Sequence, residues 1–184
     1  MGLNTIENWE LISSNYLGNF RIFSVYHERS RSPRTGKVHS FYVLDSLDWV
    51  NIIPITPKRD VVLIRQYRHG TKEITLEIPG GIIEKGKDPQ REALRELKEE
   101  TGYEPQKVVS LGYVHPNPAF LNNRCFTFLA LDVELKGGQD LDEKEDIEVV
   151  LKPLTTIPKL IKEGVITHSL VLCAFYRLFM EYGL

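Results

Sequence analysis

The chain has 184 residues, of which 42 % are hydrophobic and 26 % are charged, as is usual for a globular protein. Its 23 basic and 25 acidic residues leave a formal net charge of −2, which argues against bulk binding of nucleic acid. Neither a signal-peptide pattern nor the apolar run of about 18 residues typical of a membrane helix is found, so we predict a cytoplasmic protein that contacts no membrane.

The N-terminal part of the chain is predicted to form an antiparallel β-hairpin over residues 16–45. Phe20, Ile22 and Tyr26 recur with the two-residue period of a strand, and the turn-rich segment RSRSPRTGKV precedes the returning segment VHSFYVLD. Because a two-stranded hairpin is only marginally stable alone, it must pack on the main domain or on a second copy of the chain. We therefore divide the chain into an N-terminal hairpin region, residues 1–46, and a main domain, residues 47–184.

Strands and helices alternate through the main domain. Pro79-Gly80-Gly81 is interpreted as a turn after a short strand. Asp88, a favoured N-cap followed by Pro89, is predicted to start a helix that Gly102 ends. The other predicted elements are strands over residues 49–56, 61–67, 74–78, 108–114, 125–133 and 147–154, helices over 158–163 and from 167 or 169 to 182, and a polar loop over 136–146. This mixture favours an α+β protein whose mixed sheet is covered by helices.

The helix that begins after Asp88 carries crowded negative charge. At about 100° per residue, one arc of its surface holds Glu92, Glu96, Glu99 and Glu100. Like charges three or four residues apart on a helix cost a few tenths of a kcal/mol per pair, whereas a cation between them reverses the sign. Hard divalent cations such as Mg²⁺ prefer carboxylate oxygens. The alternative is a solvent-exposed acidic face, which an Arg95–Glu99 pair would support.

Two neighbouring segments strengthen the metal interpretation. The glycine turn before the helix allows the backbone to approach a ligand closely. A later loop is also acidic, with Asp140, Asp142, Glu143, Glu145 and Asp146. Together, the glycine turn, the acidic helix and the acidic loop indicate a site for a metal and a phosphorylated substrate.

These residues resemble the Nudix box, a pattern of fixed spacing that covers residues 81–103 here. The matching residues are Gly81, Arg95, Glu96, Leu97, Glu99, Glu100, Gly102 and Tyr103. One position departs from the pattern, because Lys87 stands where the box has its first glutamate. That glutamate commonly pairs with the box arginine, so Glu84 or Asp88 is a candidate replacement partner for Arg95.

The flanking segments VVLIRQYRHG, TLEIPGG and HPNPAF resemble those of ADP-ribose and nucleoside-diphosphate-sugar pyrophosphatases. The resemblance implies a Nudix-type α/β/α sandwich and a homodimer, since the N-terminal hairpin helps form a dimer in that group. It also implies Mg²⁺-dependent hydrolysis of a nucleoside diphosphate linked to a sugar, with ADP-ribose as lead substrate, giving AMP and ribose 5-phosphate. The alternatives are a Nudix hydrolase of nucleoside triphosphates or dinucleoside polyphosphates, and a non-catalytic nucleotide-sensing module.

The roles implied by the resemblance can be assigned to individual residues. Mg²⁺, or Mn²⁺ as an alternative, is expected to bind to the side chains of Glu96, Glu99, Glu100 and Glu145 and to the backbone carbonyl of Gly80. The catalytic candidates are Glu143, Glu145 and Glu99, and the choice between Glu143 and Glu145 as the base that deprotonates water stays open.

The residues expected to bind substrate are Arg68, Glu77, Ile82 and Pro118. Strand alternation puts Arg65 and Arg68 on opposite faces, and the resemblance favours Arg68 for phosphate recognition. Glu77 lies on the strand before the glycine turn, where it is expected to hold either the substrate or Arg68.

Overall fold

A computed structural model of the chain describes residues 6–183. The chain divides into two compact units: one contains the residues up to Leu47 together with Asn117–Asn123, and the other contains Asp48–Pro116 and the chain from Arg124 onward. Within the described range, no helix combines the length and the hydropathy that crossing a membrane requires.

The first unit is built on an antiparallel sheet of strands β1 (Glu10–Asn19), β2 (Phe23–Arg31) and β3 (Val38–Ser46), in that order. The predicted hairpin corresponds to β2 and β3, with Tyr26 opposite Val43. The placement of Phe20 and Ile22 in a strand was wrong: both lie in the connection from β1 to β2, where Arg21 has a φ of 67°. The strand β1 was not predicted, because its residues are largely exposed along both faces and show no alternation of burial.

The segment Asn117–Asn123 completes the first unit by hydrogen bonding to β3 and the residue that follows it. The Leu44 amide donates to the Phe120 carbonyl over 2.8 Å, and the Asn122 side-chain amide donates to the Asp45 carboxylate over 2.6 Å. Asn123 donates from its side chain to the Leu47 carbonyl over 2.9 Å. These bonds join residues about 75 positions apart, so hydropathy patterns could not reveal them.

The second unit contains the remaining elements. Its strands are β4 (Trp49–Ile55), β5 (Asp60–Arg68), β6 (Glu73–Glu77), β7 (Gly80–Ile82), β8 (Tyr103–Glu104), β9 (Lys107–Val114), β10 (Cys125–Leu131), β11 (Glu134–Leu135) and β12 (Ile147–Pro153). Its α-helices are α1 (Pro89–Thr101), α2 (Ile157–Lys162) and α3 (Ser169–Tyr182), with a short 3₁₀ turn over Leu154–Thr156 before α2. The short strands β7, β8 and β11 were not predicted, and the other elements of this unit lie close to their predicted ranges.

The main sheet of the second unit is mixed. Its strand order is β12-β5-β4-β10-β9, with β6 added to β5 and β7 added to β4. The central pair, β4 and β10, is parallel and runs in register from Cys125 opposite Trp49 to Leu131 opposite Ile55. The neighbouring pairs are antiparallel. The predicted mixed sheet is therefore confirmed.

Hydrophobic side chains project from both faces of this sheet, since successive residues of a strand point to opposite sides. On one face, Val50 and Ile52 of β4 pack with Leu97 of α1. On the other face, Ile53 belongs to a second buried cluster with Phe175 of α3. The sheet thus lies between α1 and the pair α2 and α3, which confirms the predicted α/β/α sandwich.

The helix α1 begins and ends where the capping residues predict. The Asp88 carboxylate accepts a hydrogen bond of 2.9 Å from the Arg91 amide, and Pro89 occupies the first turn. Gly102 ends the helix in the left-handed conformation, with a φ of 74°, and its amide donates to the Lys98 carbonyl. A Cβ at Gly102 would also lie 2.3 Å from the carbonyl oxygen of Gly137, so glycine is required there for space as well as for conformation.

Candidate active site

The backbone of Gly80 and Gly81 lies against both the sheet and α1. The interpretation of Pro79-Gly80-Gly81 as a turn was wrong at the two glycines, which begin β7 and pair with Asn51 and Val50 of β4. A Cβ at Gly80 would lie 2.3 Å from the Val50 carbonyl oxygen, and one at Gly81 would lie 2.3 Å from Oε1 of Glu96. The glycines therefore serve close packing against β4 and against Glu96 of α1, a need that could not be read locally.

Glu96 and Glu100 are buried one helical turn apart on α1. Only 8 % of Glu96 and 3 % of Glu100 are exposed. The Gly80 amide donates a hydrogen bond of 2.9 Å to Oε2 of Glu100. The structure thus brings together three residues predicted to bind metal, two by their side chains and one by its backbone.

Burial makes these carboxylates costly to ionise in the absence of a cation. It raises the pKa of Glu100 to about 9, with the hydrogen bond from Gly80 opposing and the charges of Glu96 and Glu145 adding to the increase. Burial also raises the pKa of Glu96, although Arg95 opposes it. A cation bound beside them would favour the charged forms.

Arg95 is the cation that the structure places among the carboxylates of α1. Its guanidinium bonds to Glu92 at 3.1 Å and also to Glu96 and Glu99. Although burial acts to lower the pKa of Arg95, these neighbours raise it above its ordinary value. Glu92 and Glu96 thus join the cluster, whereas the sequence had suggested Glu99 and, as replacement partners, Glu84 or Asp88.

The two candidate replacement partners for Arg95 are engaged elsewhere. Glu84 lies 3.8 Å from the ammonium group of Lys87, and Asp88 caps the helix. The side chain of Lys87 is 57 % exposed and lies outside the cluster around Arg95. The departure from the box at Lys87 therefore leaves the Arg95 cluster intact.

The acidic loop, defined here as residues 140–146, is attached to the C-terminal end of α1. The Asp140 amide donates a hydrogen bond of 2.8 Å to the Glu99 carbonyl. Within the loop, Oε2 of Glu145 accepts from the Asp142 amide over 3.0 Å. Glu145 acts electrostatically on both Glu96 and Glu100, whereas Glu143 is exposed and makes no hydrogen bond or ion pair among residues 6–183.

Gln139, which immediately precedes the acidic loop, was missed by sequence reasoning. Its side-chain nitrogen donates to the Glu100 carbonyl over 2.7 Å and to the Ile147 carbonyl over 3.0 Å. Its partners are backbone groups, so residue type gave no signal. The signal that could have found it is the need of the last helical carbonyls for donors from outside the helix.

Arg68 and Glu77 form a paired group on β5 and β6. Two nitrogens of Arg68 donate to the two carboxylate oxygens of Glu77, each over 2.7 Å, and the Thr75 hydroxyl donates to Oε1 over 2.6 Å. Burial acts to raise the pKa of Glu77, but these hydrogen bonds outweigh it and leave that pKa below its ordinary value. Of the two expectations for Glu77, the structure shows the contact with Arg68.

The remaining predicted substrate residues lie on other elements of the chain. Arg65 pairs with the exposed Glu148, over 2.9 Å, so it is engaged away from Glu77. Ile82 is exposed at the end of β7, opposite Trp49. Pro118 lies in the segment Asn117–Asn123 of the first unit.

Carboxylate and carbonyl oxygens, which suit a hard metal ion, are concentrated at this site, but the carboxylates do not converge on a common metal position. Among residues 6–183, no group of three or more His, Cys, Asp or Glu side chains is placed to hold a metal ion. Arg95 contacts Glu96 and Glu99, two of the predicted ligands. Metal binding would therefore require these carboxylates to exchange part of their contact with Arg95 for the ion.

Comparisons with known proteins identify the family of the chain. The family model described as NUDIX domain matches residues 45–173. The chain is 29 % identical over 152 residues to an ADP-ribose pyrophosphatase of Bacillus subtilis (strain 168), and the match covers 82 % of each chain. It is 34 % identical over 136 residues to a methanol dehydrogenase activator of Bacillus methanolicus, and that match covers 73 % of this chain and 74 % of that protein.

A solved structure described as an ADP compounds hydrolase has the same fold. It superposes with a TM-score of 0.83 at 21 % identity, and the match covers 96 % of this chain and 95 % of that chain. The chain belongs to the Nudix family. It is a Nudix pyrophosphohydrolase, so the alternative of a non-catalytic sensing module is set aside.

Proposed function

We propose that the chain hydrolyses the pyrophosphate bond of a nucleoside diphosphate linked to a sugar, with ADP-ribose as lead substrate. The observation that carries the proposal is the pair of buried carboxylates, Glu96 and Glu100, facing the Gly80–Gly81 backbone. The relative named ADP-ribose pyrophosphatase supports the choice of substrate. Water would attack one phosphorus and the bridging P–O bond would break, which gives AMP and ribose 5-phosphate.

The donor set fits a divalent metal ion, with Mg²⁺ as the first choice and Mn²⁺ as the alternative. Glu96 and Glu100 are buried carboxylates whose pKa values burial raises, so a cation would offset the cost of charging them. Carboxylate and carbonyl oxygens suit such ions. Glu96, Glu99, Glu100 and Glu145 would hold the ion, together with the Gly80 carbonyl. When bound there, it would neutralise pyrophosphate oxygens and lower the pKa of a water molecule.

The chain's own residues would bind and orient the substrate and accept the proton. Arg68 is fixed by two bonds to Glu77 while its side chain stays 42 % exposed, so it is free to contact a phosphate oxygen. Glu145 is our preferred base because it lies within electrostatic range of Glu96 and Glu100. Glu143 and Glu99 are the other candidates, and Ile82 and Pro118 stay predicted substrate contacts.

The test is a panel of sugar nucleotides, nucleoside triphosphates and dinucleoside polyphosphates, incubated with Mg²⁺ and analysed for products. We expect ADP-ribose to yield AMP and ribose 5-phosphate with the highest kcat/KM of the panel. Omitting the metal or adding a chelator should abolish release. Preferred release of inorganic pyrophosphate from a triphosphate, or no release from any sugar nucleotide, would contradict the proposal.

We also propose that the chain is a cytoplasmic homodimer joined through an apolar surface of the first unit. This surface consists of large side chains that are exposed in the single chain and share one face of the sheet: Trp9, Leu11, Tyr16 and Phe41. Contiguous apolar patches of this kind mark interaction sites. A second copy of the chain is the occupant that the sequence resemblance favours.

Charging this surface should separate the dimer. Leu11 is 56 % exposed and Tyr16 is 58 % exposed, and the double substitution Leu11→Asp with Tyr16→Asp should weaken association by about 100-fold or more. The measurement is sedimentation equilibrium over a range of concentrations. Ile74→Asp is the matched control, since Ile74 is 63 % exposed in the second unit and should leave the dimer intact. A wild-type chain that sediments as a monomer would overturn the proposal.

A further inference from the structure

The attachment of the acidic loop to α1 is electrostatically unfavourable on its own. The loop carries five acidic side chains within seven residues, and the C-terminal end of a helix is the negative end of its dipole. Glu96 and Glu100 add further negative charge, and Glu145 acts on both of them. Specific hydrogen bonds must therefore hold this loop where it lies.

Asp140, the first residue of the acidic loop, and Gln139, which precedes it, donate hydrogen bonds to carbonyls in the last turn of α1. The Asp140 amide donates to the Glu99 carbonyl over 2.8 Å, and the Gln139 side chain donates to the Glu100 carbonyl over 2.7 Å. These carbonyls have no partner within the helix, so donors from outside are needed. The backbone amide of Asp140 and the side-chain amide of Gln139 are both neutral, so they donate these hydrogen bonds without adding charge.

Gln139 also closes the far end of the loop. The same side-chain nitrogen donates to the Ile147 carbonyl over 3.0 Å, at the start of β12. One amide group thus joins the helix, the beginning of the loop and its end. Its orientation is fixed, because the reverse orientation would place the amide oxygen against two carbonyl oxygens.

We propose that Gln139 is a positioning residue that clamps the acidic loop onto α1 and so keeps Glu145 within electrostatic range of Glu96 and Glu100. The inference rests on the proposed function, in which Glu145 serves as a metal ligand or base. Gln139 itself contacts neither substrate nor metal in this scheme. It acts through the path of the backbone from Asp140 to Ile147.

The test compares Gln139→Met, which keeps the length of the side chain and removes the donor, with Gln139→Lys, which keeps an N–H donor. Gln139→Met should lower kcat by about 10- to 100-fold, as for other residues that orient a ligand, and should change KM for ADP-ribose by less than about threefold. Gln139→Lys should retain most of kcat. Gln106→Met is the matched control, because Gln106 is exposed and lies outside the acidic loop, in the connection between β8 and β9.

A second readout needs no catalysis. In the metal-free protein, amide hydrogen exchange over residues 140–146 should accelerate by about tenfold in Gln139→Met and stay at the wild-type rate in Gln139→Lys and Gln106→Met. Unchanged exchange in Gln139→Met overturns the clamp, whatever the substrate of the enzyme is. Faster exchange with an unchanged kcat overturns the positioning role, and so does equal loss of kcat in the Met and Lys variants.

A double-mutant cycle with Glu145→Gln separates this inference from the proposed function. If Gln139 acts through Glu145, adding Gln139→Met to Glu145→Gln should cause little further loss of kcat. Full additivity would overturn the inference while leaving the role of Glu145 intact. A normal kcat in Glu145→Gln alone would instead refute the proposed role of Glu145, and with it any positioning through that residue.

Discussion

Replacing Glu100 by glutamine is expected to lower kcat by about 1000-fold or more, since a metal-binding carboxylate supplies several kcal/mol of transition-state stabilisation. Glutamine matches the shape of glutamate, and its oxygen can still accept the hydrogen bond that the Gly80 amide donates to Glu100 over 2.9 Å. The fold should therefore survive while the charge is lost. Steady-state kinetics with ADP-ribose and Mg²⁺ measure the effect, and a near-normal kcat would remove Glu100 from the site.

The same variant should alter how stability depends on pH in the metal-free protein. Burial raises the pKa of Glu100 from 4.5 to about 9, so the folded state retains a proton that the unfolded state has lost between these values. The free energy of unfolding should then fall as pH rises through this range, by at most about 1.4 kcal/mol per pH unit for one carboxyl. Glu100→Gln should make the slope shallower. An identical slope in both proteins would contradict the assigned burial.

Adding a methyl group should lower kcat when it is placed at Gly81 and should lower the stability of the fold when it is placed at Gly80. In Gly81→Ala the new Cβ would meet Oε1 of Glu96 at 2.3 Å, and a flexible side chain can move away. We expect this variant to fold with kcat reduced by about 100-fold, because a predicted metal ligand is displaced by about 1 Å. In Gly80→Ala the Cβ would meet the Val50 carbonyl oxygen at 2.3 Å, and this backbone is held in the central sheet. We expect a loss of stability of about 3 kcal/mol or more.

Thermal unfolding and kinetics measured on both variants decide this prediction. Gly70→Ala is the control, since a Cβ added at Gly70 would have no neighbouring atom within 4 Å, and it should change neither quantity. A Gly81→Ala variant that keeps full kcat would show that the position of Glu96 is unimportant for turnover. A Gly80→Ala variant of wild-type stability would show that the contact between β7 and β4 is looser than the distances indicate.

Local signals in the sequence were sufficient for α1. Asp88, Pro89 and Gly102 mark its ends, and helical periodicity alone places Glu96 and Glu100 on one arc. The α/β/α sandwich followed from the resemblance to the Nudix family, whereas the order of strands and helices led to a mixed sheet covered by helices, because hydrophobic runs and turn residues are local features. These are the features that short-range physical chemistry determines.

The parts that were missed either carry no burial pattern or depend on contacts between distant residues. The strand β1 is exposed along its length, so burial leaves no period to detect. The glycines of β7 are needed because β4 and Glu96 lie against them. Arg95 forms ion pairs with Glu92 and Glu96 in addition to Glu99. A helical projection cannot show which of several acidic neighbours Arg95 contacts. Gln139 was missed because its partners, the carbonyls of Glu100 and Ile147, are backbone atoms.

The hydrogen bonds between Asn117–Asn123 and β3 restrict how this chain can be shortened or recombined. A fragment that stops at Leu47 would lack Phe120 and Asn122, which pair with Leu44 and Asp45. A fragment that starts at Asp48 would keep this segment without those partners. Neither piece is therefore a transferable module, and we expect insertion, deletion or fusion to succeed only where both stretches of chain are retained together.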